Sequence, residues 1–326
     1  MTEQIPVGML LGFPVYGYSI FLCLSILIGL ILMAFCQKER SLPKDAALRY
    51  GLWAIPLGVV GARLFYCLAR FDYVLYERGW TFLFSLWEGG FALYGAMGGC
   101  LLAALVYGRV AHVKARDVLD CAAPGAAVLI AGARFAECFT AQGVGDPVEV
   151  EALQHFPFAV MNHYEEWVLP VFLLEGLAAL ATGLVVFRFL RRKGEKHGDA
   201  ALIFLLLYGA AQVLLESLRR DDYLRWGFVR VSQLMSMGLV LFVATVFGAR
   251  ALAKKKVLLV VFGALVLMAG VLGCIAIEFA LDKSSIPNDL LYIGMALALM
   301  LMTGAVLALF KARRGEPSSA KHEIGA

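Results

Sequence analysis

Arg134 and Glu137 stand three residues apart in ARFAECFTAQGVGD, residues 133–146, where a long apolar run ends. On a helix that spacing puts both on one face, where guanidinium and carboxylate pair. Gln142, Gly143 and Gly145 follow, and glycines let backbone approach a ligand closely. A second set lies in LYGAAQVLLESLRRDD, where Tyr208, Gln212, Glu216 and Arg219 recur at i, i+4, i+8 and i+11. At 3.6 residues per turn these four fall within about 80° of one another. Interhelical hydrogen bonding at about 1 kcal/mol per contact is the plain account of such a stripe. Four polar groups ending in RRDD favour a site. Three further residues complete the set: Tyr16 in FPVYGYS, Arg63 in VGARLFY and Tyr94 in WEGGFALYGAMGGC. An interfacial aromatic belt accounts for Tyr16 and Tyr18 equally well, and snorkelling accounts for Arg134. Gly95 and Gly99 form GxxxG, a close-packing pattern between helices. Ionisable groups in apolar spans are costly and generally line a bundle interior or a wet cavity. Arginine's planar fork suits phosphate. Several arginines converging at headgroup depth point to a site for an anionic phospholipid.

The elements that carry these residues are membrane spans. The chain has 326 residues, 61% hydrophobic and only 17% charged, with mean hydropathy +0.78. A soluble domain of this size is nearer half apolar. Nine runs are long enough to cross a bilayer, at about 13–35, 47–68, 90–108, 118–138, 166–187, 200–218, 231–249, 257–280 and 288–310. Of the 29 Lys and Arg, 20 fall in alternate connections and in the tail after residue 310, and nine fall in or near the others. Positive charge marks the cytoplasmic side. The N-terminus is therefore expected outside, the C-terminus cytoplasmic, and residues 133–146 at the outer face. The loop over 139–165 has no Lys or Arg and is long enough to cover something. The opening MTEQIPVGML has no basic region of the kind a signal peptide carries. The seven cysteines form no CxxC and read as small buried hydrophobes. The basic clusters are short loops that fit orientation alone, so no nucleic-acid partner is expected. Residues 1–250 hold seven spans and nearly all the unusual polar groups. Residues 251–310 read as an appended two-span hairpin, and 311–326 as a disordered cytoplasmic tail.

Taken in order, the motifs resemble the prolipoprotein diacylglyceryl transferases, bacterial inner-membrane enzymes. VYGYS resembles the family's first-span tyrosine–glycine motif, and GARLFY its second-span arginine motif. WEGGFALYGAMGG is similar to a segment that normally reads W-x-G-G-x-S-F-H-G-G. ARFAECFTAQGVG is similar to G-R-x-G-N-F-x-N-G-E-x-x-G. LYGAAQVLLESLRRDD is similar to Y-G-x-x-R-F-x-x-E-x-x-R-x-D, and SQLMSMGLVL resembles the seventh span. The resemblance covers about residues 10–250. It implies an all-α polytopic fold, a seven-helix body to which the hairpin is added. It implies transfer of diacylglyceryl from phosphatidylglycerol to the lipobox cysteine thiol of a lipoprotein precursor, with no metal or soluble cofactor.

Carried over by position, the resemblance places Tyr94, Arg134, Glu137, Tyr208 and Glu216 among the catalytic positions. It places Tyr16, Arg63, Gln142, Gly145, Gln212 and Arg219 among those that bind substrate. Four of these depart from the family pattern. Tyr94 stands where the family has histidine, Glu137 where it has asparagine, Gln142 where it has glutamate, and Gln212 where it has arginine. The losses at 142 and 212 are expected to be coupled, as a former ion pair. Glu137 in place of asparagine is expected to hold Arg134 in an ion pair. Two readings follow. One is a transferase whose thiol is assisted by Tyr94 or Glu137. The alternative is a non-catalytic homologue that binds phospholipid or a partner in the old headgroup pocket. A transporter fits less well, because no inverted repeat and no matched pair of broken helices is visible.

Overall fold

The computed structural model describes residues 6–312 apart from 11–12, 141, 163, 193–195, 222–223 and 227–228. Of the expected tail, residues 313–326 lie outside the described residues. The protein is all-helical: among the described residues, nine helices are long and apolar enough to cross a membrane. They are α1 (Gly17–Cys36), α2 (Ala46–Ala69), α3 (Leu93–Val110), α4 (Ala115–Phe135), α5 (Val171–Leu190), α6 (Asp199–Ser217), α7 (Val231–Leu252), α8 (Val257–Lys283) and α9 (Asn288–Ala312). These are the nine runs read from hydropathy. The main difference is at the start, where residues 13–15 belong to a short antiparallel hairpin that pairs Gly8–Leu10 with Phe13–Val15. Pro14 sits in that strand and has no amide to give a helix. Two more two-residue hairpins pair Val160–Met161 with Trp167–Val168, and Arg225–Trp226 with Val229–Arg230.

The chain divides into two compact units, one ending at Met235 and one beginning at Ser236. In the first, α2 packs on α3, α1 on α4, α4 on α5 and α5 on α6. Glycines set how closely these pairs approach. A Cβ on Gly95 would run into Gly61 O, and one on Gly99 into Leu57 O, so α2 and α3 touch backbone to backbone. Gly29 and Gly125 play the same part between α1 and α4. The GxxxG of α3 is thus a packing face, as lipid-immersed helices require when no hydrophobic effect drives them together. Large side chains on the outer faces, such as Leu24, Leu27, Ile28 and Ile31 of α1, stay exposed, which suits a lipid surround.

One end of this unit is tied by a buried carboxylate. Asp120, on α4 and fully buried, accepts from the amides of Gly198 (2.8 Å) and Ala201 (3.0 Å) at the start of α6. It also pairs with Arg40 Nε at 2.9 Å. Gly198 has no side chain with which to cap α6, so Asp120 does it from a neighbouring helix. In the second unit α8 packs on α9. A Cβ on Gly270 would meet Met302 there. Phe247 lies against Phe310 in a tilted arrangement, with ring centroids 5.1 Å apart.

Candidate functional site

At the opposite end of the first unit from Asp120, three helix ends bring acids and arginines together. The last turn of α4 runs on into a 3-10 turn, Ala136–Phe139. This presents Arg134 and Glu137, which pair through Nη1 and Oε1 at 2.6 Å. The first turns of α5 present Glu175, 1% exposed. The end of α6 presents Gln212 and Glu216, and Arg219 lies just beyond it. Glu175 Oε2 faces both guanidiniums, at 3.4 Å from Arg134 Nε and 2.9 Å from Arg219 Nη1. Glu137 Oε2 lies 3.3 Å from Arg219 Nη2, and Glu216 Oε1 lies 3.8 Å from Arg134 Nη2. Gln212 Nε2 donates to Glu175 Oε1 at 2.5 Å and to Glu216 Oε1 at 3.1 Å. Tyr208 lies within electrostatic reach of Arg134. Its hydroxyl is buried and makes no hydrogen bond of ordinary geometry among the described residues.

The segment after α6 locks this cluster. Asp221 Oδ2 accepts from Arg219 Nη2 at 2.7 Å and from the Gly143 amide at 3.0 Å, while Oδ1 meets Arg230 Nη1 at 2.9 Å. Arg230 Nη2 donates in turn to Arg219 O at 2.6 Å. Gln233 Oε1 accepts from the Arg230 amide at 3.0 Å, and Gln233 Nε2 donates to Ser217 Oγ at 3.2 Å. Burial alone would raise the Asp221 carboxyl. The hydrogen bond and charge of Arg219, the Gly143 amide and Arg230 outweigh it and bring the carboxyl down to about 2. Burial alone would likewise lower Arg219, but Glu175 and then Glu137 outweigh it and hold that guanidinium above the usual arginine value. The glycine turn is threaded between. Gly143 has φ +73°, and a Cβ there would strike Glu137 Oε2 and come within 2.7 Å of Phe172. Gly145 is backed by Leu218 O, 2.8 Å from where a Cβ would sit. Arg220 holds the same turn from outside, through its amide to Val144 O at 2.9 Å and its side chain to Asp146 at 2.9 Å.

Six of the residues singled out from sequence therefore meet: Arg134, Glu137, Tyr208, Gln212, Glu216 and Arg219. Gly145 lies in the turn that backs them. Gln142 and Arg63 have other partners. Gln142 is exposed, and its amide donates to Thr140 Oγ1 at 3.3 Å. The carboxylates that meet position 212 are Glu175 and Glu216, which is a different coupling from the one expected with 142. Arg63 was expected to face a headgroup. It is 2% exposed and is directed to the backbone of residues 79–90 instead. Nη1 donates to Gly89 O and to Gly90 O (3.2 Å), Nη2 to Phe82 O and to Ser85 O (2.9 Å), and the guanidinium lies 4.0 Å over the Phe82 ring. A buried arginine takes as many acceptors as it can reach, and these carbonyls supply them. Tyr94 is half-buried at the start of α3, and Tyr16 is half-buried just before α1. Sequence reasoning passed over Glu175, Asp221, Arg230 and Gln233. Glu175 had a usable signal, being the lone acid in the apolar run VFLLEGLAALATG.

A bundle of apolar helices that buries an arginine–carboxylate cluster at one end is a multi-pass membrane protein with a polar site. The family model for prolipoprotein diacylglyceryl transferase matches residues 6–249, and the chain belongs to that family. It is similar to the phosphatidylglycerol–prolipoprotein diacylglyceryl transferase of Bacillus licheniformis, 28% identical over 258 residues, which are 77% of this chain and 94% of the other. It is also similar to the protein of that name from Lactococcus lactis, 30% identical over 250 residues, 74% of this chain and 92% of the other. The Listeria monocytogenes protein is 27% identical over 241 residues, 72% of this chain and 86% of the other.

Proposed function

We propose that the protein transfers a diacylglyceryl group from phosphatidylglycerol to the lipobox cysteine thiol of a lipoprotein precursor, at the outer leaflet of a bacterial cell membrane. The thiol sulfur would form a bond to the glycerol carbon while that carbon's bond to the phosphate oxygen breaks. Glycerol phosphate departs, and the thiol proton ends on it or in water. The observation that carries the reading is the pair of guanidiniums, Arg134 and Arg219, fixed by shared acids at one end of the bundle. Two preorganised cations suit a phosphate whose charge grows as it leaves. Tyr208 keeps a buried hydroxyl within reach of Arg134, placed to orient the lipid. Glu216 fixes the cluster, and Glu137, whose Oε2 lies against Gly143, is the group proposed to take the thiol proton in preference to Tyr94. Arg63, already committed to carbonyls, is assigned to holding the 79–90 segment. Residues 1–250 are taken as the transferase body, which fits a family match ending at 249. The site end is opposite the basic connections at 109–116 and 188–192, which supports an outward-facing site.

The test uses purified protein in micelles containing phosphatidylglycerol, with a lipobox peptide. Glycerol phosphate release and a diacylglyceryl mass gain on the peptide are expected. Arg134→Ala should lower the rate by about 10²–10³, the usual effect of losing one preorganised charge-stabilising donor. Bound lipid with no release and no mass gain would favour the non-catalytic reading.

A further inference from the structure

We propose that Glu175 is the positioning residue of this site, the acid that sets the spacing of the two phosphate-holding arginines. The inference rests on the function proposed above and adds a residue to it. Glu137 shares a helix end with Arg134 and reaches across to Arg219, and Glu216 lies three residues before Arg219 and reaches across to Arg134 at 3.8 Å, so each is tied to the element of one arginine. Glu175 comes from a third element, α5, and touches both arginines through one oxygen, Oε2. Two guanidiniums repel each other, and a carboxylate shared between them fixes how close they stand. With its side chain 0% exposed, Glu175 acts through its neighbours and touches no substrate.

Gln212 completes the arrangement. Its amide occupies Glu175 Oε1 at 2.5 Å, which leaves Oε2 to the arginines. A third guanidinium at 212 would compete for Glu175; a neutral amide orients it and competes for nothing. The glutamine at a family arginine position is thus what dedicates Glu175 to Arg134 and Arg219. Supporting shells of this kind decide whether a charged site is held to the fraction of an ångström that chemistry requires.

The test compares wild type with Glu175→Gln and Glu175→Asp as full-length proteins. It measures transfer to a lipobox peptide, the thermal shift produced by phosphatidylglycerol, and the yield of monodisperse protein. Gln keeps the size and the Oε1 acceptor but presents an amide to the arginines. It is expected to lose roughly 10- to 100-fold in kcat, with peptide KM within about twofold and a reduced lipid-induced shift. Asp keeps the charge at a shorter reach and is expected to fall between Gln and wild type. Gln matching wild type in both transfer and lipid shift would overturn the proposal, as would losses that track unfolded protein. If wild type shifts with lipid but transfers nothing, the catalytic reading fails and the lipid shift alone decides Glu175. If wild type neither shifts nor transfers, both readings fall.

Discussion

At the scale of single residues, the site works by sharing acids between arginines. Three carboxylates, Glu137, Glu175 and Glu216, face two guanidiniums, Arg134 and Arg219, and Asp221 and Arg230 add a balanced pair beside them. Asp221 is the member whose contribution titrates in a readable window. Its carboxyl is held at about 2 in the folded protein, against an ordinary value near 3.9. A lowered folded value stabilises above the unfolded value and is lost as pH falls through the folded one. Asp221→Asn is therefore expected to lower the thermal midpoint by a few degrees, on the order of 2 kcal/mol. The gap should be constant from pH 5 to 8 and close between about pH 4 and 2. A gap that persists at pH 2 would refute the assignment. The sequence was informative here where helical periodicity did the work. Tyr208, Gln212 and Glu216 share a face of α6, and Arg219, just past its end, still meets them in one cluster. The carbonyl partners of Arg63 were not legible, because a motif says nothing of which acceptors a buried arginine will reach. Glu175 was missed although it met the criterion applied to Arg134, that of an ionisable group alone in an apolar run.

At the scale of elements, hydropathy made the helices legible but not their ends. The site is built on ends: the 3-10 turn after α4, the first turns of α5, and the chain between α6 and α7. Residues there have no period to read, so the Asp221–Gly143 contact, between residues 78 apart in sequence, leaves no local trace. The same is true at the far end, where α6 begins on an acid from α4. Removing that acid takes the acceptor from two amides and the counter-charge from Arg40 Nε, whose side chain is 7% exposed. Asp120→Ala is expected to cost about 3–5 kcal/mol, seen as a large drop in thermal midpoint in detergent. Asp120→Asn keeps acceptors for the amides and should recover part of it. Because this cap lies at the end of α6 away from Glu216 and Arg219, transfer per folded molecule should be unchanged in both variants. A specific activity per folded molecule that falls in Asp120→Ala and is partly restored in Asp120→Asn would mean the two ends of α6 are mechanically linked.

At the scale of the whole molecule, the orientation proposed for the protein rests on its distribution of charge. The distribution of Lys and Arg between alternate connections, 20 against nine, concerns short loops close to helix ends, the setting in which positive charge controls insertion. Buried pairing is commoner among the nine than among the twenty, of which Arg40 is held by Asp120. Arg63, Arg134, Arg219 and Arg230 are drawn inward, to carbonyls or carboxylates, and are not free to face a cytoplasmic leaflet. With those four committed to structure, the asymmetry of solvent-facing charge is steeper than the raw count. On that reading the loop over 139–165, which carries acids and no Lys or Arg, is expected outside, and the connection around Lys114 is expected in the cytoplasm. Both positions can be read on one protein. In a background without the native cysteines, Glu149→Cys, at an exposed position, should react with a membrane-impermeant maleimide added to intact cells whose outer barrier is open. Lys114→Cys, also exposed, should react only after the cell membrane is permeabilised. The reverse pattern would place the arginine cluster on the cytoplasmic side. A precursor's lipobox thiol presented at the outer face would then be out of its reach.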